Sequence, residues 1–251
     1  MLAFAHRGGA FHPEIEGLEN TRAAFQHAVD LGYRYLETDV HATRDGTLLA
    51  FHDAVLDRVT EACGAIKDLE YVDVREALIG GQEQIPTLEE LFEAFPRARF
   101  NIDLKSTAAI RPLVELIERT DAHDRVCVAS FSGRRTRTFR ALTGGRVATA
   151  AGPVAVARGR FVPATRLLDV LARHPAAALQ VPHRRSGLTI VTNSFIARAH
   201  AAGRHVHVWT VDDPAQMSEL LDMGVDGLMT DRTDLLREVL MERGQWTGAQ
   251  A

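Results

Sequence analysis

The chain has 251 residues, 46% of them hydrophobic and 25% charged, which suffices for a sizeable core and falls in the range that α/β barrels fill as one unit. A formal net charge of −4 leaves no broad basic footprint, which argues against nucleic acid as a partner. Two cysteines, Cys63 and Cys127, are too few for a disulfide framework or a cysteine-based zinc site. The N-terminus runs from Met1 straight into Leu2–Ala5 and then His6-Arg7. No apolar run approaches the ~18 residues of a membrane span, so neither a signal peptide nor a span is expected and a cytoplasmic enzyme is.

Short apolar runs alternate with helical patterns along the whole chain. A strand is expected over Leu2–Ala5, a helix over Thr21–Leu31 with Gly32 past its end, and a strand over Tyr35–His41. After the Asp45-Gly46 turn, Leu48–His52 reads as the return arm of a hairpin. Residues 54–86, with Gly64, Gly80 and Gly81, break the rhythm and read as a short insertion. Thr87 and Glu90 form a capping-box signature for a helix over Leu88–Phe95. Next come a strand over Phe100–Lys105, a helix over Arg111–Arg119, strands over Arg125–Ser130 and Val147–Thr149, and a helix over Ala164–Arg173. Clustered arginines at 134, 135 and 137 read as a solvated helix face. The last third gives a strand over Ala178–Val181, a helix over Ser194–Ala202 and a strand over His205–Val211. An Asp213-Pro214 start then precedes a helix over Ala215–Met223, a strand over Gly227–Thr230 and a helix over Leu235–Arg243. Strands with intervening helices argue a parallel sheet, and eight such units in this length argue a closed (β/α)8 TIM barrel, a single domain with a short insertion after strand two. No linker or long repeat divides it.

The charged residues fall where such a barrel does its chemistry. Glu37 and Asp39 are two apart on a strand and share a face, while Leu36, Thr38 and Val40 share the other. Two carboxylates placed so repel unless one is protonated or a cation lies between them, and hard oxygen ligands suit Mg²⁺ or Ca²⁺ better than Zn²⁺. Taken alone, pairing of each acid with an arginine or a backbone amide explains them equally well. In "RFNIDLKS" the pattern recurs, with Asp103 and Lys105 on one face. A carboxylate and an ammonium side by side suit a substrate bearing phosphate. His6 and His52 each follow an apolar strand, and two imidazoles beside acids suit general acid and base work. Arg7 has the fork for phosphate, and Gly8 and Gly9 permit a tight loop. Trp209 reads either as core filling or as a wall for the alcohol part of a substrate. The other histidines read as surface or local structure, with His183 set apart because it follows a strand.

"HRGG", "LENT", "ETDVHATRDGTLLAFHD", "IPTLEELF", "NIDLK", "HVWTVDD" and "GVDGLMTDRTDLL" occur in that order and together closely resemble the glycerophosphodiester phosphodiesterase family over nearly the whole chain. The resemblance implies a barrel enzyme that hydrolyses small-molecule glycerophosphodiesters to glycerol 3-phosphate and an alcohol, with a divalent cation, Mg²⁺ or Ca²⁺. It implies His6 and His52 as the acid/base pair, and Glu37, Asp39 and Asp103 as metal ligands. Arg7 and Lys105 are then phosphate contacts, Glu19 and Asn20 support beside the site, and Trp209 the aromatic residue of the family's WTV segment. Three departures stand out: Asp103 replaces a usual Glu, "LDRVTEACG" replaces an Arg-Thr-Thr run and leaves Arg58 without an inherited role, and the insertion is short. Two other readings compete. One is a related barrel phosphodiesterase acting on lysophospholipids or phosphoinositides, which favours an apolar rim not evident in the sequence. The other is a catalytically silent phosphodiester-binding barrel, against which the two histidines and paired acids argue. Nothing in the sequence marks an oligomer interface.

Overall fold

The computed structural model describes residues 1–151 and 176–248; the expected helix over Ala164–Arg173 and His174 lie outside the described residues. Among the described residues, eight parallel strands form the main path of the sheet: β1 (Leu2–His6), β2 (Tyr35–Ala42), β3 (Arg99–Leu104), β4 (Val126–Ala129), β5 (Ala148–Thr149), β6 (Ala178–Pro182), β7 (His205–Trp209) and β8 (Gly227–Thr230). Their order around the sheet is β5-β4-β3-β2-β1-β8-β7-β6. A parallel bridge between Ala150 and Ala178 joins the two ends. Two backbone hydrogen bonds of 2.8 Å accompany it, Ala151 N to Ala178 O and Ala177 N to Thr149 O. The sheet thus closes on itself as the expected TIM barrel.

Helices cover the outside, and their ends follow the sequence signals. Thr21 caps Arg22–Asp30 by accepting from Ala24 N, and Thr87 with Glu90 forms the capping box of Leu88–Ala94. Asp213 accepts from Gln216 N at the head of Pro214–Asp222, with Pro214 in the first turn. One helix, Gly133–Leu142, is more regular than its sequence suggests, because Phe139 and Thr136 are the only side chains it buries.

The strand faces divide as the alternation requires. Leu36, Val40, Ile102, Leu104, Val206 and Val208 are fully buried beneath the helices, each contributing roughly 1.5–3 kcal/mol of transfer free energy. Inside the barrel, Phe4 packs its ring against Tyr35 and His207, with centroids 5.1 and 4.9 Å apart. Gly227 makes room for that layer, since a Cβ there would lie 2.8 Å from the Phe4 ring.

His207 itself is only 5% exposed, and its Nδ1 faces the Gln180 amide at 3.4 Å. Burial, helped by the nearby His205, lowers its pKa from 6.5 to about 4. Between those pH values the unfolded chain takes up a proton that the folded one refuses, so stability is complete above pH 6.5 and falls as the pH drops toward 4. At ~1.4 kcal/mol per unit the loss amounts to roughly 3 kcal/mol. Denaturant titrations over that range are expected to show this acid-side slope in the wild type and a shallower one in His207→Gln. Equal slopes would discount His207 as the source.

The insertion is a packed body rather than a loose loop. The return strand of the hairpin before it, Leu48–Ala50, pairs antiparallel with β2 through Val40 and Ala50, as the hairpin reading expected. Leu49, Phe51, Leu56, Ile66, Val74, Ala77, Ile79 and Ile85 then form a second buried apolar cluster, apart from the main core.

Candidate active site

At the C-terminal ends of the strands the register sets charged residues side by side. His6 on β1 is level with Glu37 on β2, and Asp39 is level with Asp103 on β3. The parity that sends Leu36 and Val40 outward sends Glu37 and Asp39 inward, where they are 5% and 2% exposed. The chain then turns sharply after β1. Arg7 has φ +50° and Gly8 φ +87°, both in the left-handed region, and a Cβ on Gly8 would lie 2.7 Å from the Cβ of Ala24. A glycine is therefore required there, and Arg7 carries local backbone strain at the site.

Three side chains meet Asp39. Arg7 Nε lies 3.1 Å from Oδ2, Asn20 Nδ2 donates to the same oxygen at 3.4 Å, and Lys105 Nζ lies 2.9 Å from Oδ1. Lys105 Nζ is also 2.9 Å from Asp103 Oδ2, so the ammonium bridges the two carboxylates. Burial works against ionised Asp39, but Lys105 and Arg7 outweigh it and hold its pKa below the usual range. Glu37 goes the other way: burial and the charge of Asp39 raise it. Its Oε2 accepts from the Arg7 backbone N at 3.2 Å and lies 3.8 Å from His6 Nε2.

Both imidazoles are held through Nδ1. His6 Nδ1 is 2.8 Å from Asp231 Oδ1, and His52 Nδ1 is 2.6 Å from Asp53 Oδ1. A carboxylate on Nδ1 fixes the proton there and leaves Nε2 to exchange a proton with a bound group. Burial disfavours a charged His6, but Glu37 and the hydrogen bond it donates to Asp231 prevail, and its pKa rises well above the ordinary 6.5.

These groups line a cavity of about 360 Å³ together with an apolar side formed by Val181, Pro182, Ile190, Met229, Phe131 and Trp209. Phe131 and Trp209 meet edge to face with centroids 5.6 Å apart. Trp209 therefore lines the cavity. Phe131, in the segment that follows β4, lines the cavity and stands 55% exposed, an apolar group at the site that the sequence reading did not expect.

Of the expected site residues, His6, Arg7, Glu37, Asp39, His52, Asp103, Lys105 and Trp209 all line this one cavity. Glu19 and Asn20 sit behind it. Asn20, in the left-handed region at φ +60°, links Asp39 to the Thr38 hydroxyl. Glu19 lies 3.4 Å from Arg7 Nη1 and accepts two hydrogen bonds from Arg58. Among the described residues no group of three His, Cys, Asp or Glu side chains is close enough to cage an ion. Lys105 Nζ bridges Asp39 and Asp103 instead. Even so, Asp103 Oδ1 is buried without a hydrogen-bond partner, an orphaned oxygen that a cation would satisfy.

The sequence reading missed Asp231 and Phe131. Asp231 follows β8 directly, the same strand-end position that identified His6, so that rule applied to "MTDRTD" finds it. No comparable signal marks Phe131, whose role depends on meeting Trp209 from another strand.

A family model described as "Glycerophosphoryl diester phosphodiesterase family" matches residues 6–235. The chain belongs to this family. Among curated relatives, "Probable glycerophosphodiester phosphodiesterase 2" of Mycobacterium tuberculosis is 45% identical, with 99% of this chain and 94% of the relative covered. A lysophospholipase D of Homo sapiens is 28% identical over 94% of this chain and 85% of its own. Among solved structures, a glycerophosphodiester phosphodiesterase from Agrobacterium tumefaciens is 25% identical with a TM-score of 0.76, covering 94% and 99% of the two chains. An Oleispira antarctica phosphodiesterase in complex with the product sn-glycerol-3-phosphate has the same fold, with a TM-score of 0.80 at 23% identity over 96% and 97%.

Proposed function

We propose that this protein hydrolyses glycerophosphodiesters to glycerol 3-phosphate and an alcohol by in-line displacement at phosphorus. The observation that carries the reading is the pair of imidazoles, each fixed at Nδ1 by a carboxylate, facing one cavity with Arg7 and Lys105. One imidazole takes a proton from the nucleophile and the other gives a proton to the departing alkoxide. Water as nucleophile yields glycerol 3-phosphate directly, whereas a neighbouring glycerol hydroxyl yields a cyclic phosphate that water then opens. Arg7 and Lys105 neutralise charge developing on the phosphoryl oxygens. Glu37, Asp39 and Asp103 would hold a divalent cation, Mg²⁺ or Ca²⁺; when bound it supplies Lewis-acid neutralisation of a phosphoryl oxygen. Lys105 shares the oxygens of Asp39 and Asp103, so its grip on them and cation affinity are linked. The curated relatives' names support the substrate class, and the free thiols Cys63 and Cys127 accord with a reducing, cytoplasmic setting.

Release of glycerol 3-phosphate from glycerophosphocholine, glycerophosphoethanolamine and glycerophosphoglycerol tests the reading. Activity on at least one is expected, lost with excess chelator and restored by Mg²⁺ or Ca²⁺. No release from any of the three removes the proposed reaction, and undiminished activity in chelator removes the cation. A second reading, action on lysophospholipids, draws support from Phe131, exposed where it lines the cavity. Lysophosphatidylcholine belongs in the same assay as a fourth substrate.

A further inference from the structure

Arg58 comes from the insertion, yet it reaches both charged arms of the site. Its Nη1 and Nη2 donate to Glu19 Oε2 and Oε1 at 2.9 and 2.6 Å, and its Nε donates to Asp53 Oδ2. Glu19 in turn contacts Arg7, and Asp53 holds Nδ1 of His52. A single guanidinium thus joins the phosphate-facing arginine to the proton-transferring histidine through two carboxylates, engaging one of them in bidentate fashion, a geometry a lysine does not reproduce. Arg58 is in turn held by its own segment. Leu56, two residues earlier, is 1% exposed in the insertion's apolar cluster, and the Val59 carbonyl accepts from Gly80 N at 2.9 Å.

We propose that Arg58 is a positioning residue, setting the ring orientation and tautomer of His52 through Asp53 and the placement of Arg7 through Glu19. The inference rests on His52 being a proton-transfer group in the proposed reaction. Without Arg58, Asp53 loses the partner of its second oxygen, and neither its direction nor the Nδ1–H tautomer of His52 is enforced. Loss of an orienting group of this kind typically lowers activity ~10–100-fold.

The test combines two measurements on the full chain. Turnover of Arg58→Ala is expected to fall by about 10–100-fold, chiefly in kcat for the part acting through His52. Arg58→Lys, which keeps the charge but not the fork, is expected to lie between Arg58→Ala and the wild type. In a His52→Ala background, adding Arg58→Ala is expected to lower kcat much less than in the wild type, since only the part exerted through Glu19 and Arg7 remains. Nitrogen-15 NMR of the imidazoles reads the tautomer of His52 without substrate, and Arg58→Ala is expected to move it away from a single Nδ1–H form. An unchanged tautomer with wild-type turnover in both Arg58 variants overturns the proposal. So does a full additional drop in the His52→Ala background, which would mean a purely structural role. A wild type inactive on every glycerophosphodiester refutes the proposed reaction instead, while the tautomer measurement still decides the positioning of His52. If Arg58→Ala does not fold, Arg58→Lys carries both measurements.

Discussion

Replacing His52 with alanine is expected to lower turnover on glycerophosphodiesters by about 10²–10⁴-fold, the usual span of general acid-base assistance, with the fold retained. Its side chain is 31% exposed and its main partner, Asp53, keeps Arg58, so little is left stranded. His6 is expected to matter as much, but its removal disturbs more, because it lies at 15% exposure between Asp231 and Glu37. His6→Asn therefore accompanies His6→Ala: it retains an amide donor near Asp231 while removing the imidazole. kcat measured alongside circular dichroism and thermal melting separates chemistry from folding. Turnover at the wild-type level in a folded variant would take that histidine out of the mechanism.

The second large effect concerns Lys105. Its ammonium touches two buried carboxylates at 2.9 Å each, and those contacts raise its pKa against the opposing effect of burial. Lys105→Met leaves Asp39 to Arg7 and Asn20 and takes from Asp103 its ion pair, so a loss of about 3 kcal/mol in stability is expected, at the low end for breaking a buried pair. Turnover is expected to fall too, since a phosphoryl contact is gone. If Asp39 and Asp103 also bind a divalent ion, added Mg²⁺ or Ca²⁺ should restore more stability to this variant than to the wild type. Denaturant unfolding with chelator and with either ion measures both quantities. A variant as stable as the wild type in chelator would contradict the bridging role, and equal stabilisation by the ions in both proteins would contradict the shared site.

The barrel and its charged centre were legible because each depends on short-range pattern. Alternation in "YLETDV" places Glu37 and Asp39 on one face whatever the rest of the chain does, and the strand-end rule locates His6 and His52 without coordinates. Strand ends were less exact: β4 covers Val126–Ala129 rather than Arg125–Ser130. The helix Gly133–Leu142 buries too few apolar groups to leave a strong period. What pattern cannot deliver is contact between distant segments. Asp231 lies 225 residues from His6 in sequence, and Phe131 meets Trp209 across the cavity mouth. Arg58 is the sharpest instance. The sequence left it without a role because its neighbours depart from the family's usual run, while its side chain reaches Glu19, 39 positions away.

The separate apolar cluster of the insertion has a consequence for robustness. Ile66, Val74 and Ile79 are fully buried there, outside the lining of the cavity, yet they belong to the cluster that holds the segment carrying Arg58. Local opening of such a unit is cheaper than melting the whole molecule. With Arg58 as the positioning residue proposed above, opening of this annex would silence the catalyst while the barrel still stands, making it the fuse of the enzyme.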